Sequence, residues 1–256
     1  MKYCIVEDEG RVRVVTLNRP EVMNALHTDA HEELVQVWDE FAARDDLWVA
    51  IITGAGPRAF SAGNDLKIQA SGTRRPGPPQ GFAGLCNRYD LDKPLIAAVN
   101  GVAMGGGFEI ALACDIIVAA ENAVFALPAP RVGLIAGAGG VHRLGRMIPQ
   151  KLAMGMMLTG RRVPAAEGAQ LGFVNEVVPE GQALAAAKRW AALILECSPK
   201  AVRASKQAFY RGLMEPTLET AMRTIYPAQR ENMDSADYIE GPKAFAEKRK
   251  PNWNNK

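Results

Sequence analysis

Two short stretches hold most of the residues able to do chemistry. The first is Phe60-Ser61-Ala62-Gly63-Asn64-Asp65-Leu66-Lys67. The second is Asn100-Gly101-Val102-Ala103-Met104-Gly105-Gly106-Gly107-Phe108-Glu109. Each follows an apolar run that reads as a strand, and the second leads into apolar, helix-like sequence. Three consecutive glycines at a strand-to-helix junction let a ligand approach bare backbone N–H groups. Donors of that kind stabilise a developing oxyanion. Glu109 then falls in the first helical turn, where the helix dipole would lower its pKa and burial beside Phe108 and Phe125 would raise it. The glycines also admit a plainer reading, close packing of the helix, and taken alone they do not decide the matter.

Other chemistries fit less well. Residues 54–59, GAGPRA, imitate the dinucleotide fingerprint GxGxxA, but a helix should start there and PRAFSAGND is turn-like. No P-loop and no GxSxG nucleophile elbow occurs. His27 and His31 share helical i, i+4 spacing, yet the sequence is HTDAH and not HExxH, which predicts surface or capping histidines and no metal site. Cys4, Cys86, Cys114 and Cys197 lie far apart without a CxxC pair, as expected for reduced, mostly buried thiols in a cytoplasmic protein.

The positioning elements follow from pattern. Residues 11–18 are rich in β-branched side chains and read as a strand, followed by a turn at RPEVMNAL. Leu34, Val37, Trp38 and Phe41 recur at helical spacing within 27–43. Residues 48–54 and 95–101 are continuous apolar runs, expected where a strand is covered on both faces. Residues 115–127 suggest two short strands around Glu121-Asn122. Strand, helix and strand in alternation argue for an α/β core. Residues 70–84 are dominated by glycine and proline and predict a surface loop. After Gly181 the strands stop. Helices are expected over 182–197, over 200–213 behind a Ser198-Pro199 cap, over 217–226, and over 237–249 with a break at Gly241-Pro242. These divide the chain into a core of 1–195 and a helical C-terminal region of 196–256.

Composition sets limits. The 256 residues are 48% hydrophobic and 23% charged, an ordinary globular balance that permits a large core. The net charge of +2 lacks the basic excess of an electrostatic nucleic-acid binder. The start, MKYCIVEDEG, has no apolar run behind a basic segment, so no signal peptide is expected. The most apolar stretch, 95–120, is interrupted by Asn100, Glu109 and Asp115, so no membrane span is expected.

FSAGNDLK followed by VNGxAxGGGxE resembles the enoyl-CoA hydratase/isomerase, or crotonase, family. TLNRPEVMNAL, DIIVAAENAVFALP, GLIAGAGGVHRL, LTGRRVPAAEGAQLGFVNEVV and the tail GPKAFAEKRKPNW fit it in order and spacing, so the resemblance covers nearly the whole chain. It looks nearest to bacterial enoyl-CoA hydratases and carnitinyl-CoA dehydratase-like members. The resemblance implies an α/β fold built as a spiral of ββα units, with the helical C-terminal region forming trimers or dimers of trimers. It implies an acyl-CoA thioester substrate and neither a metal nor a redox cofactor. The thioester oxygen would be gripped by the N–H groups of Asn64 and Gly106. Ala25, Ala62, Asp65, Leu66 and Lys67 would line the CoA channel. Lys248 would approach the CoA phosphates, its plainer reading being a solvated lysine. Phe82, Leu85 and Leu134 would shape the acyl pocket.

Family hydratases use two glutamates, and one position matches Glu109. The other, after the proline of an LPE-like segment, is Ala129 here, in Leu127-Pro128-Ala129-Pro130. An acid eight residues further on, found in some relatives, is also missing, because that position is Gly137. Alanine neither accepts nor donates a proton. Three readings stay open: a hydratase inactivated by replacement of its second glutamate, an enzyme in which Glu109 works without it, as hydratase or double-bond isomerase, and a non-catalytic acyl-CoA binder.

Overall fold

The computed structural model describes residues 1–71 and 76–255. Residues 72–75, inside the loop expected at 70–84, lie outside the described residues. The chain opens with β1 (Cys4–Glu9), β2 (Val12–Leu17), α1 (Thr28–Ala43), β3 (Val49–Gly54), β4 (Ala59–Ser61) and α2 (Leu66–Ala70). It continues through β5 (Leu95–Val99), β6 (Val102–Met104), α3 (Gly106–Ala113), β7 (Ile116–Ala120) and β8 (Val124–Ala126). Next come α4 (Gly140–Met147), α5 (Gln150–Thr159), β9 (Val163–Pro164), α6 (Ala165–Leu171) and β10 (Glu176–Val178). The remainder is helical: α7 (Ala183–Leu195), α8 (Pro199–Gly212), α9 (Leu218–Arg223), α10 (Pro227–Met233) and α11 (Ala236–Ala246).

From β3 to β8, successive strands alternate between two sheets. One has the order β1-β2-β3-β5-β7-β10 and the other β4-β6-β8-β9. Each spiral turn therefore gives one strand to each sheet: β3 and β4, then β5 and β6, then β7 and β8. Pairing is parallel except for β1 with β2 and β8 with β9. This is the crotonase fold. The larger sheet is covered on both faces, which explains why β3 and β5 read as unbroken apolar runs. Ala183, Ala186, Ala187 and Ala191 of α7 lie on one face. On the other, the main core includes Trp38 and Phe41 of α1 and the cluster of Phe108, Phe125 and Phe173, whose ring centroids are 5.1–5.2 Å apart.

Several local expectations are corrected. β1 was not expected, because CIVEDE carries three carboxylates; it is an edge strand whose outward side chains are free to be charged. PRAFSAGND contains a short strand, β4, fixed by pairing with β6. The helix expected over 217–226 ends at Arg223, and Pro227 starts a separate helix, α10. The break expected at Gly241-Pro242 does not occur, and α11 runs through to Ala246. Trp253 packs against Gly241 there, and this tertiary contact accompanies the continued turn despite the missing proline N–H. His27 caps α1, its Nδ1 accepting Ala30 N–H at 3.2 Å, but His31 is buried and not a surface residue.

Candidate active site

The N-terminus of α3 is pressed against the strand-to-helix passage at 61–65. A Cβ on Gly107 would collide with the Ser61 carbonyl. Gly63 has φ +87°, and a Cβ there would lie 2.7 Å from Gly106 N. Glycine at these positions brings Asn64 and Gly106 together. Asn64 faces Leu26 in an isolated parallel bridge. Leu26 donates to Gly63 C=O and accepts Asp65 N–H, both at 2.8 Å. In this geometry the N–H of Asn64 itself points away from Leu26. Gly106 N–H, at the first position of α3, has no intrahelical acceptor. Two backbone donors are thus set at one glycine-lined junction. Asn100 holds the preceding strand ends, donating to Gly54 and Gly56 C=O at 3.0 and 2.7 Å and accepting Gly54 N–H at 3.1 Å.

Glu109 lies three residues after Gly106, on the same face of α3. It is 4% exposed. Its Oε1 accepts Gly140 N–H at 2.8 Å, and Ala138 N–H also bonds to the carboxylate. Burial raises its pKa; these two N–H groups and the Arg143 guanidinium oppose that, and the net shift is upward. Of the two opposing effects expected from sequence, desolvation wins.

The segments expected to hold CoA are stitched together. Arg19 Nη1 donates to Ala25 C=O at 2.6 Å and pairs with Asp65 at 3.1 Å. Ala62 N–H donates to Met23 C=O, and Ser61 Oγ–H to Asn24 C=O, both at 2.8 Å. Leu66 and Lys67 begin α2 with exposed side chains. Lys248 follows α11 as an exposed residue with φ +55°.

Ala129 starts a short 3-10 turn over Ala129–Val132 and accepts Leu134 N–H at 2.9 Å. Pairing of Met104 with Ala126, and the bond from Gly105 N–H to Ala126 C=O at 2.9 Å, bring this segment to the start of α3. Phe82 lies against Gly106, Leu85 is buried in the main core, and Leu134 is exposed. Gly137, at the other position where relatives carry an acid, donates its N–H to Ile135 C=O at 2.8 Å.

Residues that the motif reading missed are Gly140, Ala138 and Arg143, which surround Glu109. The glycine-rich run 137–140 before a helix was the available signal. Among the described residues no group of three His, Cys, Asp or Glu side chains is arranged to hold a metal ion, and no helix is long and apolar enough to cross a membrane.

The enoyl-CoA hydratase/isomerase family model matches residues 7–256. The chain is 44% identical over 253 residues to a carnitinyl-CoA dehydratase of Citrobacter koseri, covering 95% of each chain. Among solved structures it is similar to an enoyl-CoA hydratase from Mycobacterium tuberculosis, with TM-score 0.94 and 37% identity over the whole of both chains. It is also similar to a carnitinyl-CoA hydratase from Mycobacterium avium, with TM-score 0.80 and 40% identity over the whole of both. The chain belongs to the enoyl-CoA hydratase/isomerase family.

Proposed function

We propose that this chain binds a trans-2-enoyl-CoA and adds water across its double bond, with Glu109 as the one carboxylate that moves protons. The observation that carries this reading is a buried carboxylate with a raised pKa, held one helical turn from Gly106. The thioester oxygen accepts from Asn64 N–H and Gly106 N–H, which stabilise the charge that develops as water attacks; losing one such donor costs about 3 kcal/mol. The Glu109 carboxylate takes a proton from water while the water oxygen bonds to C3. The electron pair of the double bond shifts towards the thioester oxygen. Glu109, now protonated, returns the proton to C2, so one water is consumed and the carboxylate is regenerated. The reverse sequence dehydrates a 3-hydroxyacyl-CoA, in keeping with the dehydratase name carried by the Citrobacter koseri relative.

Ala25, Ala62, Asp65, Leu66 and Lys67 form the CoA channel, with Lys248 towards the phosphates, and the thioester supplies its own electron sink without a further cofactor. Phe209, Leu213, Met214, Leu218 and Met222 leave an exposed apolar surface on α8 and α9 and the segment between them, and this surface joins copies of the chain into a trimer or a dimer of trimers. A monomer by light scattering contradicts that assembly. Ala129 favours one second reading, double-bond isomerisation, because a 1,3-proton shift needs only one base.

The test is turnover of a panel of enoyl-CoAs followed by mass spectrometry. Gain of one water by the wild type, lost in Glu109→Gln, supports hydration. Double-bond migration without a mass change supports isomerisation. Binding without either product leaves an acyl-CoA binder and overturns the proposal.

A further inference from the structure

The turn over residues 81–84 adopts a backbone that local propensity disfavours. Gly81, Ala83 and Gly84 have φ of +78°, +56° and +61°, and Ala83, with a Cβ, rarely takes this left-handed conformation. Two side chains of α1 hold it. His31 Nδ1 accepts Ala83 N–H at 3.1 Å. Trp38 Nε1–H donates to Ala83 C=O at 3.0 Å. These residues lie two helical turns apart on the buried face of α1, so both polar groups of one residue are gripped from a rigid element. Gly84 completes the fit, since a Cβ there would fall 2.6 Å from Val35 N.

Phe82 stands at the front of this turn. Ala83, Gly84, Leu85 and Cys86 are buried, whereas Phe82 is half-buried. Its ring centroid lies 4.4 Å from that of His31. On the other side, a Cβ placed on Gly106 would collide with Phe82 Cζ. The ring is therefore wedged between a buried histidine and the first residue of α3.

We infer that His31 and Trp38 are positioning residues that fix Phe82 against Gly106, and that the ring so held favours short acyl chains over long ones. This rests on the reading of Gly106 as a donor to the thioester oxygen. An acyl chain leaving a carbonyl bound there must pass the wall beside Gly106. A wall pinned by two hydrogen bonds to its own backbone cannot retreat as a mobile phenylalanine would.

The test is the ratio of affinities for butanoyl-CoA and decanoyl-CoA, measured by calorimetry on the wild type and on His31→Ala, His31→Asn, Trp38→Phe, Phe82→Ala and the His31→Ala/Phe82→Ala double variant. A ratio is unaffected by the fraction of chain that is folded, so a merely structural role would not move it. Phe82→Ala is expected to shift the ratio about tenfold towards decanoyl-CoA. His31→Ala and Trp38→Phe shift it the same way by about threefold, and the double variant goes no further than Phe82→Ala, because His31 acts through the ring. His31→Asn keeps an acceptor near the Nδ1 position and retains most of the wild-type ratio. Should His31→Ala not fold, Trp38→Phe, which removes only the indole donor and the ring's bulk, carries the same expectation. A wild-type ratio in Phe82→Ala, or in both His31→Ala and Trp38→Phe, overturns this inference alone. Failure of the wild type to bind either thioester overturns the acyl-CoA reading and this inference with it.

Discussion

Glu109 Oε1 accepts the backbone N–H of Gly140 at 2.8 Å, which joins the first turn of α3 to the first residue of α4. The open N–H groups and dipole at the start of α4 favour the ionised carboxylate, and burial favours the neutral acid. The balance falls above the ordinary glutamate pKa. A carboxyl poised in this way can both accept and return a proton.

The bond also fixes where that proton is handled. A Cβ on Gly140 would sit 3.1 Å from Glu109 Cγ and Oε1 and from Ala136 Cβ, so in Gly140→Ala the carboxylate or its neighbour gives way by a few tenths of an ångström. Displacement of a catalytic group by a full ångström typically costs about 10²-fold, so a shift of a few tenths is expected to cost up to about tenfold. Steady-state kinetics are expected to show that loss in kcat with KM little changed, whereas Glu109→Gln loses 10²–10⁴-fold. An undiminished kcat in Gly140→Ala would show that the Gly140 bond does not position the reacting group.

Arg143 donates to Cys86 C=O at 2.7 Å, and its charge pulls the Glu109 pKa down against burial. Removing that charge in Arg143→Met leaves desolvation less opposed, so the pKa of Glu109 rises further. In the proposed mechanism hydration begins with the carboxylate form, so activity is expected to increase as pH rises through this pKa. The acid limb of kcat/KM is expected above the ordinary glutamate value of 4.5 in the wild type, and at still higher pH in Arg143→Met. A limb that stays in place or moves to lower pH contradicts the electrostatic role of Arg143.

The elements that cradle the site were legible wherever one physical cue dominated. Continuous apolar runs marked β3 and β5, helical spacing marked α1, and Ser198-Pro199 marked the start of α8, where the serine hydroxyl does accept Ala201 N–H. What stayed hidden depends on partners distant in sequence. β1 is a strand because β2 lies beside it, with Cys4 opposite Leu17, and no apolar alternation announces it. Asn24 looks like an ordinary turn residue. In the fold it is buried at φ +55° and bonds to Arg19 N–H and to the carbonyls of Ala55 and Ala59. The Glu109 position could be read from its motif. The groups that tune it, Gly140 and Arg143, are brought to it only by the packing of α4 on α3.

His31 gives stability a pH dependence of known sign. Burial, with repulsion from His27 second, lowers its pKa from 6.5 to about 4. The folded chain thus binds this proton less tightly than the unfolded chain. His31 imposes no penalty above about pH 6.5, and destabilisation grows as pH falls until it is complete near pH 4. The full effect is ~3 kcal/mol, of which ~2 kcal/mol falls between pH 7 and pH 5. Urea unfolding at those two pH values is expected to show His31→Asn losing less stability than the wild type by that amount. Equal losses would mean that His31 titrates normally in the folded chain.

Ala129 decides whether one carboxylate suffices. The pairing of Met104 with Ala126 brings the 129–132 turn to the start of α3, so a glutamate introduced there enters the neighbourhood of Glu109. Two carboxylates sharing a site cannot both ionise freely, and one pKa rises. If Glu109 carries hydration alone, Ala129→Glu adds a group that no step requires. Its kcat is expected to stay within about tenfold of the wild type, while the acid limb of the pH profile moves upward through like-charge coupling. General acid–base groups contribute 10²–10⁴-fold where a step depends on them. A gain of that size in Ala129→Glu would identify the wild type as a two-carboxylate site lacking one member, and the single-carboxylate mechanism would fall. Measuring the two sequences side by side on one enoyl-CoA separates these outcomes, because the proposed thioester donors Asn64 and Gly106 are common to both.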